Sequence, residues 1–190
     1  VYINSGRELV VANPELKNYS GWWNTIEVAD FDKNGDPDLI AGNWGLNSQI
    51  RANEKEPVEM MYKDFDNNGS VDPFLCFYIQ GRSYPYISRD ELLEQMYPMR
   101  RKFTSYKSYS DAEMKDIFSP EEMKGAKHLA ATHLETTLFE NRNGKFYQRS
   151  IPSQAQFSPV YKIVVEDFNK DGYNDLLLLG NNEYCRLKMG

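Results

Sequence analysis

The sequence predicts a mainly β chain interrupted by a helical insertion. Two observations carry that expectation. Three segments repeat one order of features, an apolar or alternating run, an acidic glycine loop and a second apolar run, which reads as a β-hairpin with an elaborated turn. Between the second and third copies the hairpin pattern stops and helix-start signals follow one another instead.

The repeated segments run over residues 26–40, 60–74 and 163–177, with acidic loops opening at Asp30, Asp64 and Asp167. The first two loops start 34 residues apart, too close for a large intervening element, and the third starts 103 residues after the second. Within that gap, Ser88 to Glu91, Ser110 to Glu113 and Ser119 to Glu122 match the capping box, where a serine oxygen accepts an N3 amide and a glutamate reaches back. Pro120 strengthens the third, since proline suits the first helical position. Apolar residues then recur at helical spacing: Leu92, Leu93 and Met96, then Met114, Ile117 and Phe118, then Met123, Ala126 and Leu129 or Ala130. Beyond them, Arg142-Asn143-Gly144 is a hairpin turn signal between two strand-like runs. The expected organisation is residues 1–87 as two repeats, 88–131 as a protruding helical insertion, and 132–190 as a further repeat. Each hairpin has too little apolar surface to stand alone, so neighbouring sheets are expected to stack over Ile26, Val28, Leu39, Phe74, Val164 and Leu176.

The loops specify their chemistry closely. Asp30, Asp32, Asn34 and Asp38 stand at positions 1, 3, 5 and 9 of the first, with the Asp36 carbonyl at position 7. The second places Asp64, Asp66, Asn68 and Asp72 there, with the Ser70 carbonyl. The third places Asp167, Asn169, Asp171 and Asp175, with the Tyr173 carbonyl. Gly35, Gly69 and Gly172 occupy position 6, where the chain turns sharply. Such a set of hard oxygens is what Ca2+ takes. An EF-hand would need a bidentate glutamate at position 12, where this chain has Ala41, Leu75 and Leu178, and helices where it has strand-like flanks.

The segment Asp30-Phe31-Asp32-Lys33-Asn34-Gly35-Asp36-Pro37-Asp38-Leu39-Ile40, with Ala41-Gly42-Asn43 beyond it, resembles the FG-GAP/VCBS repeats of integrin α-subunit propellers and of bacterial surface proteins. The middle of the chain, with Ser88-Arg89-Asp90-Glu91-Leu92, Arg101-Lys102-Phe103, Tyr106 and Ala155-Gln156-Phe157-Ser158-Pro159, is similar to large secreted bacterial proteins of the ASPIC/UnbV type. The resemblance implies calcium loops between the first two strands of each blade, and a secreted or outer-surface location outside the cytoplasm. Three hairpins cannot close a propeller, which needs about four to eight blades. The expected architecture is therefore a partial β-propeller of about three blades. The chain is expected to be a fragment of a longer protein, its open sheet edges covered by the rest of that propeller or by another copy.

Composition narrows the function classes. The formal net charge is −6, and the loops alone hold ten aspartates, so the remainder of the chain is net positive. Acidity gathered in three loops argues for bound cations, and the absence of a basic stripe argues against nucleic acid. Hydrophobic residues make up 41% of the chain, enough for one ordinary core, with no apolar run long enough to cross a bilayer. Val1-Tyr2-Ile3-Asn4 reads as strand rather than signal peptide, so any targeting segment is expected to be missing from this piece. Cys76 and Cys185 are too few for a disulfide framework and read as buried thiols, with a bridge the second alternative.

Other candidates have ordinary explanations. Trp22, Trp23 and Trp44, near Asn24, Asn43 and Asn47, form a sugar-platform pattern or, as preferred here, blade packing. Glu91, Glu94, Asp111, Glu113, Glu121 and Glu122 are carboxylates enough for a glycosidase pair, yet each suits a helix cap or a solvated face. Gly-x-Ser-x-Gly, Walker and His-Glu-x-x-His motifs are absent. The expected function is a non-enzymatic calcium-binding module presenting a surface to protein or glycan. The alternative is a domain of an enzyme acting on polysaccharide.

Overall fold

The computed structural model describes residues 1–181. It is mainly β, with several antiparallel sheets, none of them closed. In chain order the strands are β1 (Tyr2–Asn4), β2 (Leu9–Val11), β3 (Thr25–Ala29), β4 (Asp38–Gly42), β5 (Val58–Lys63), β6 (Asp72–Ile79) and β7 (Arg82–Pro85). Four short helices follow, α1 (Arg89–Gln95), α2 (Tyr106–Tyr109), α3 (Met114–Ile117) and α4 (Pro120–Met123). The chain then returns to strands β8 (Lys127–Ala131), β9 (Thr137–Arg142), β10 (Lys145–Arg149), β11 (Lys162–Glu166) and β12 (Asp175–Leu179). Two compact units result, one from residues 1–49 together with 133 onward, the other from Ile50–Thr132.

In the first unit a four-stranded sheet has the order β10-β9-β4-β3. Its central pair, β4 and β9, matches Leu39 with Phe139, Ile40 with Leu138 and Ala41 with Thr137, although the whole second unit separates them in sequence. The β11–β12 hairpin packs Ile163, Val165, Leu176 and Leu178 against Ile40 and Leu138 of that sheet. Strand side chains alternate between faces, so placing Ile40 on the packed face sends Ile26 and Val28 to the other one. They are 57% and 59% exposed, against the expectation that they stack inward; Leu39, Val164 and Leu176 are half-buried and Phe74 is fully buried.

Gly42 is a point of close approach inside this unit. A Cβ there would lie 2.7 Å from the Val160 carbonyl and 2.7 Å from Thr25 Cγ2. Gly42→Ala must displace backbone, and a loss of about 1–3 kcal/mol is expected by urea denaturation, as for other overpacked sites. An unchanged midpoint would show that Val160 yields freely.

In the second unit the sheet order is β7-β6-β5-β8. Residues 127–131, assigned by apolar spacing to the last helical stretch, are strand β8, whose Ala131 to Lys127 run opposite Val58 to Tyr62. Cross-strand hydrogen bonds to β5 outweigh a four-residue helical pattern that Gly125 already interrupts. The helices do not protrude. Leu92, Leu93, Met96, Met114, Ile117 and Phe118 form one core with Phe74 and Cys76 of the sheet and Phe65 of the loop between β5 and β6. Phe118 stacks on Phe65 at 4.0 Å and meets Phe74 edge-on at 5.2 Å. The charged residues Asp90, Glu94, Lys115 and Asp116 of these helices stay exposed.

The Ser88–Glu91 and Ser119–Glu122 capping boxes are present. Ser110 instead closes α2, its hydroxyl donating to the Lys107 carbonyl at 3.2 Å, and α3 begins at Met114 with Glu113 as its N-cap. Ala112, between the two helices in sequence, is buried in the same core. Asn143 and Gly144 make the predicted β9–β10 turn with φ of 52° and 83°. Cys76 is a free, buried thiol, and burial pushes its pKa up to about 12. Cys185 lies outside the described residues.

Candidate metal centres

Each acidic loop joins two adjacent antiparallel strands: the first β3 and β4, the second β5 and β6, the third β11 and β12. All three follow one backbone trace. Position 4 is left-handed in each, with φ of 60° at Lys33, 58° at Asn67 and 61° at Lys170. Position 6 is left-handed too, with φ of 89°, 91° and 88° at Gly35, Gly69 and Gly172, where a Cβ would be strained.

The carboxylates hold that trace. In the first loop Asp30 accepts the Asn34 amide at 3.2 Å and the Gly35 amide at 2.9 Å. In the second, Asp64 accepts from Asn68 at 3.0 Å and Gly69 at 2.9 Å; in the third, Asp167 accepts from Asp171 at 3.1 Å and Gly172 at 2.8 Å. Asp38, Asp72 and Asp175 close their loops by accepting the position-2 amides of Phe31, Phe65 and Phe168 at 2.9, 2.9 and 3.0 Å. One carboxylate thus organises the entry to each loop and another its exit.

The first two loops are the more enclosed. Asp38 is only 1% exposed, and its second oxygen accepts the Asn141 amide of β9 at 2.7 Å. Asp72 is 3% exposed, and its second oxygen accepts from Gln95 Nε2 of α1 at 2.9 Å. Sequence reasoning missed Asn141 and Gln95, because both come from elements far along the chain. The side chain of Asp36 accepts the Asn143 amide at 2.8 Å. Asn34 Nδ2 donates to the Asn141 carbonyl at 3.0 Å, so the β9–β10 turn braces this loop.

Oxygens of Asp30, Asp32 and Asp38 lie within 4.8 Å of one another, as do those of Asp64, Asp66 and Asp72. Among the described residues the third loop gathers no such group of three, since Asn169 stands where the other loops have aspartate. There the Tyr173 amide, then Asn169 and the Lys33 charge, hold the Asp171 carboxyl below its usual range.

The donor set suits a hard cation. Every side chain at positions 1, 3, 5 and 9 offers oxygen, and no sulfur or imidazole enters. Carboxylates this close repel one another unless positive charge stands between them. Each oxygen that accepts one amide keeps a further lone pair. The residues present fit Ca2+, held by Asp30, Asp32, Asn34, Asp38 and the Asp36 carbonyl, and by the equivalent residues of the other loops. The ion would supply the charge that relieves this repulsion and would tie the loop's two limbs together.

Several of the remaining candidates have structural partners. Trp23 stacks on His133, with ring centroids 5.6 Å apart, and donates to the Tyr19 carbonyl at 2.9 Å. Trp44 packs edge-on to Trp22 and donates to Ser48 at 3.2 Å. Glu91 and Glu122 bond their own cap serines, and Glu113 pairs with Arg82 and Lys115. Among the described residues no helix is long and apolar enough to cross a membrane. No protein-family model, curated protein or solved structure matches the chain.

Proposed function

We propose that the chain is a calcium-binding, non-enzymatic repeat module of the FG-GAP/VCBS kind, part of a secreted or cell-surface bacterial protein. Calcium stiffens its loops so that the sheets present a surface to a protein or glycan. The observation that carries this reading is the shared loop geometry: three acidic loops with the same left-handed positions and the same amide-to-carboxylate bonds, each between paired strands.

The packing of the first unit supports a partial propeller. By alignment of the repeats, Ile26, Val28, Leu39 and Ala41 of the first hairpin correspond to Ile163, Val165, Leu176 and Leu178 of the third. In the third hairpin that face packs on a neighbouring sheet. In the first it borders an open groove of about 400 Å³ lined by Leu16, Tyr19, Trp23, Ile26 and Phe139. A further blade of the parent protein, or a ligand rich in apolar surface, would fit there.

Calorimetric titration of chelated protein tests the reading, with two or three calcium ions expected per chain. A ligand binding only the folded state stabilises by about 2.7 kcal/mol at a hundredfold excess over Kd, so the melting temperature should rise with calcium. Identical melting curves in EDTA and in millimolar calcium would overturn it.

A further inference from the structure

We propose that the first and third loops take up their cations as a coupled pair, with Lys33 and Asn174 as the positioning residues that join them. This rests on the calcium reading above and adds to it a link between two of the three sites.

Both loops belong to the first unit, and they touch through the residues that would carry ligands. Lys33, at position 4 of the first loop, points out of its own loop and sets Nζ 3.7 Å from the centre of the Tyr173 ring. Tyr173 is position 7 of the third loop, whose carbonyl is a candidate ligand. In return Asn174, at position 8, donates from Nδ2 to the carbonyl of Asp30 at 3.2 Å. Asp30 is position 1 of the first loop, the residue that anchors the Asn34 and Gly35 amides. Each loop therefore holds a ligand-bearing residue of the other.

The second loop lacks this arrangement. It lies in the other unit, and positions 4 and 8 are Asn67 and Val71, with Val71 63% exposed. Valine offers no side-chain donor.

An empty loop keeps several carboxylates in mutual repulsion, and a cation orders it at a cost in conformational entropy. When one loop is filled, its fixed residues hold the Lys33–Tyr173 and Asn174–Asp30 contacts in place, so the second loop is partly ordered before its ion arrives. The second ion then binds more tightly than it would alone, which is positive coupling through shared order. The charge of Lys33 disfavours a nearby cation whether or not the other loop is filled, so it drops out of the coupling ratio. Linkage requires the effect to be reciprocal.

The amides of Gly35, Gly69 and Gly172 give one NMR reporter per loop in the full chain. In calcium titrations, Asp167→Asn should weaken binding at the first loop, read at Gly35, by about fivefold or more, with Gly69 unmoved. Asp30→Asn should weaken the third loop, read at Gly172, by the same factor. In a Lys33→Ala/Asn174→Ala background, whose exposed substitutions leave every ligand in place, both cross-effects should vanish. Lys33→Arg, which keeps the cation over the ring, should retain them. If calcium still binds but Gly35 titrates identically with and without Asp167, the coupling is refuted while the calcium reading stands. If no glycine responds to calcium, that reading fails and the coupling falls with it.

Discussion

Asp38→Ala is expected to destabilise the first unit by about 2–6 kcal/mol even in chelator, with a further loss in calcium. The carboxylate is buried and accepts the amides of both Phe31 and Asn141. Truncation leaves two amide donors without their acceptor, at about 1–3 kcal/mol each. Asp30→Ala makes the contrast. Asp30 is only half-buried, so its loss should cost less in EDTA and appear chiefly as a smaller calcium-induced rise in melting temperature. Urea denaturation of both variants, with and without calcium, separates the two roles. Equal stability of Asp38→Ala and wild type in EDTA would show that the buried bonds contribute little by themselves.

Phe118→Ala should have an effect of similar size in the second unit, about 3–5 kcal/mol, as for other buried phenylalanines. The ring is 1% exposed and lies against Phe65 and Phe74, so its removal opens a cavity where the helices meet the sheet. Phe65 is position 2 of the second acidic loop, and its amide closes that loop onto Asp72. Calcium affinity at the second loop should therefore fall in this variant while the first loop keeps its own. With two compact units, unfolding is expected in two steps, so near-ultraviolet circular dichroism and amide signals from each unit should be followed separately. A core that repacked around the gap would lose under 1 kcal/mol and leave the second loop unchanged.

Local pattern was enough to read three hairpins, their acidic loops, two capping boxes and the Asn143-Gly144 turn. Each depends on residues within about ten positions of one another. The position-6 glycines and the ninth-position aspartates follow directly from backbone conformation and hydrogen bonding inside a single loop. The donor chemistry was legible for the same reason, because all five candidate ligand positions of a loop lie within nine residues.

Tertiary structure decided what depends on partners remote in sequence. Which face of β3 is buried follows from where β11 and β12 pack, and that placed Ile40 and Ile163 inside and Ile26 and Val28 outside. The β4–β9 pairing, which puts the second hairpin and the helices in a unit apart from the other two hairpins, bridges 94 intervening residues between Gly42 and Thr137. β8 is a strand because β5 offers it an unpaired edge, an influence that no window around Leu129 contains. Asn141 and Gln95 complete the buried aspartates, and Lys33 and Asn174 join two loops, for the same physical reason. Hydrogen bonds and apolar contacts between distant segments exist only once the chain has brought those segments together, and the residues that make them carry no local signature.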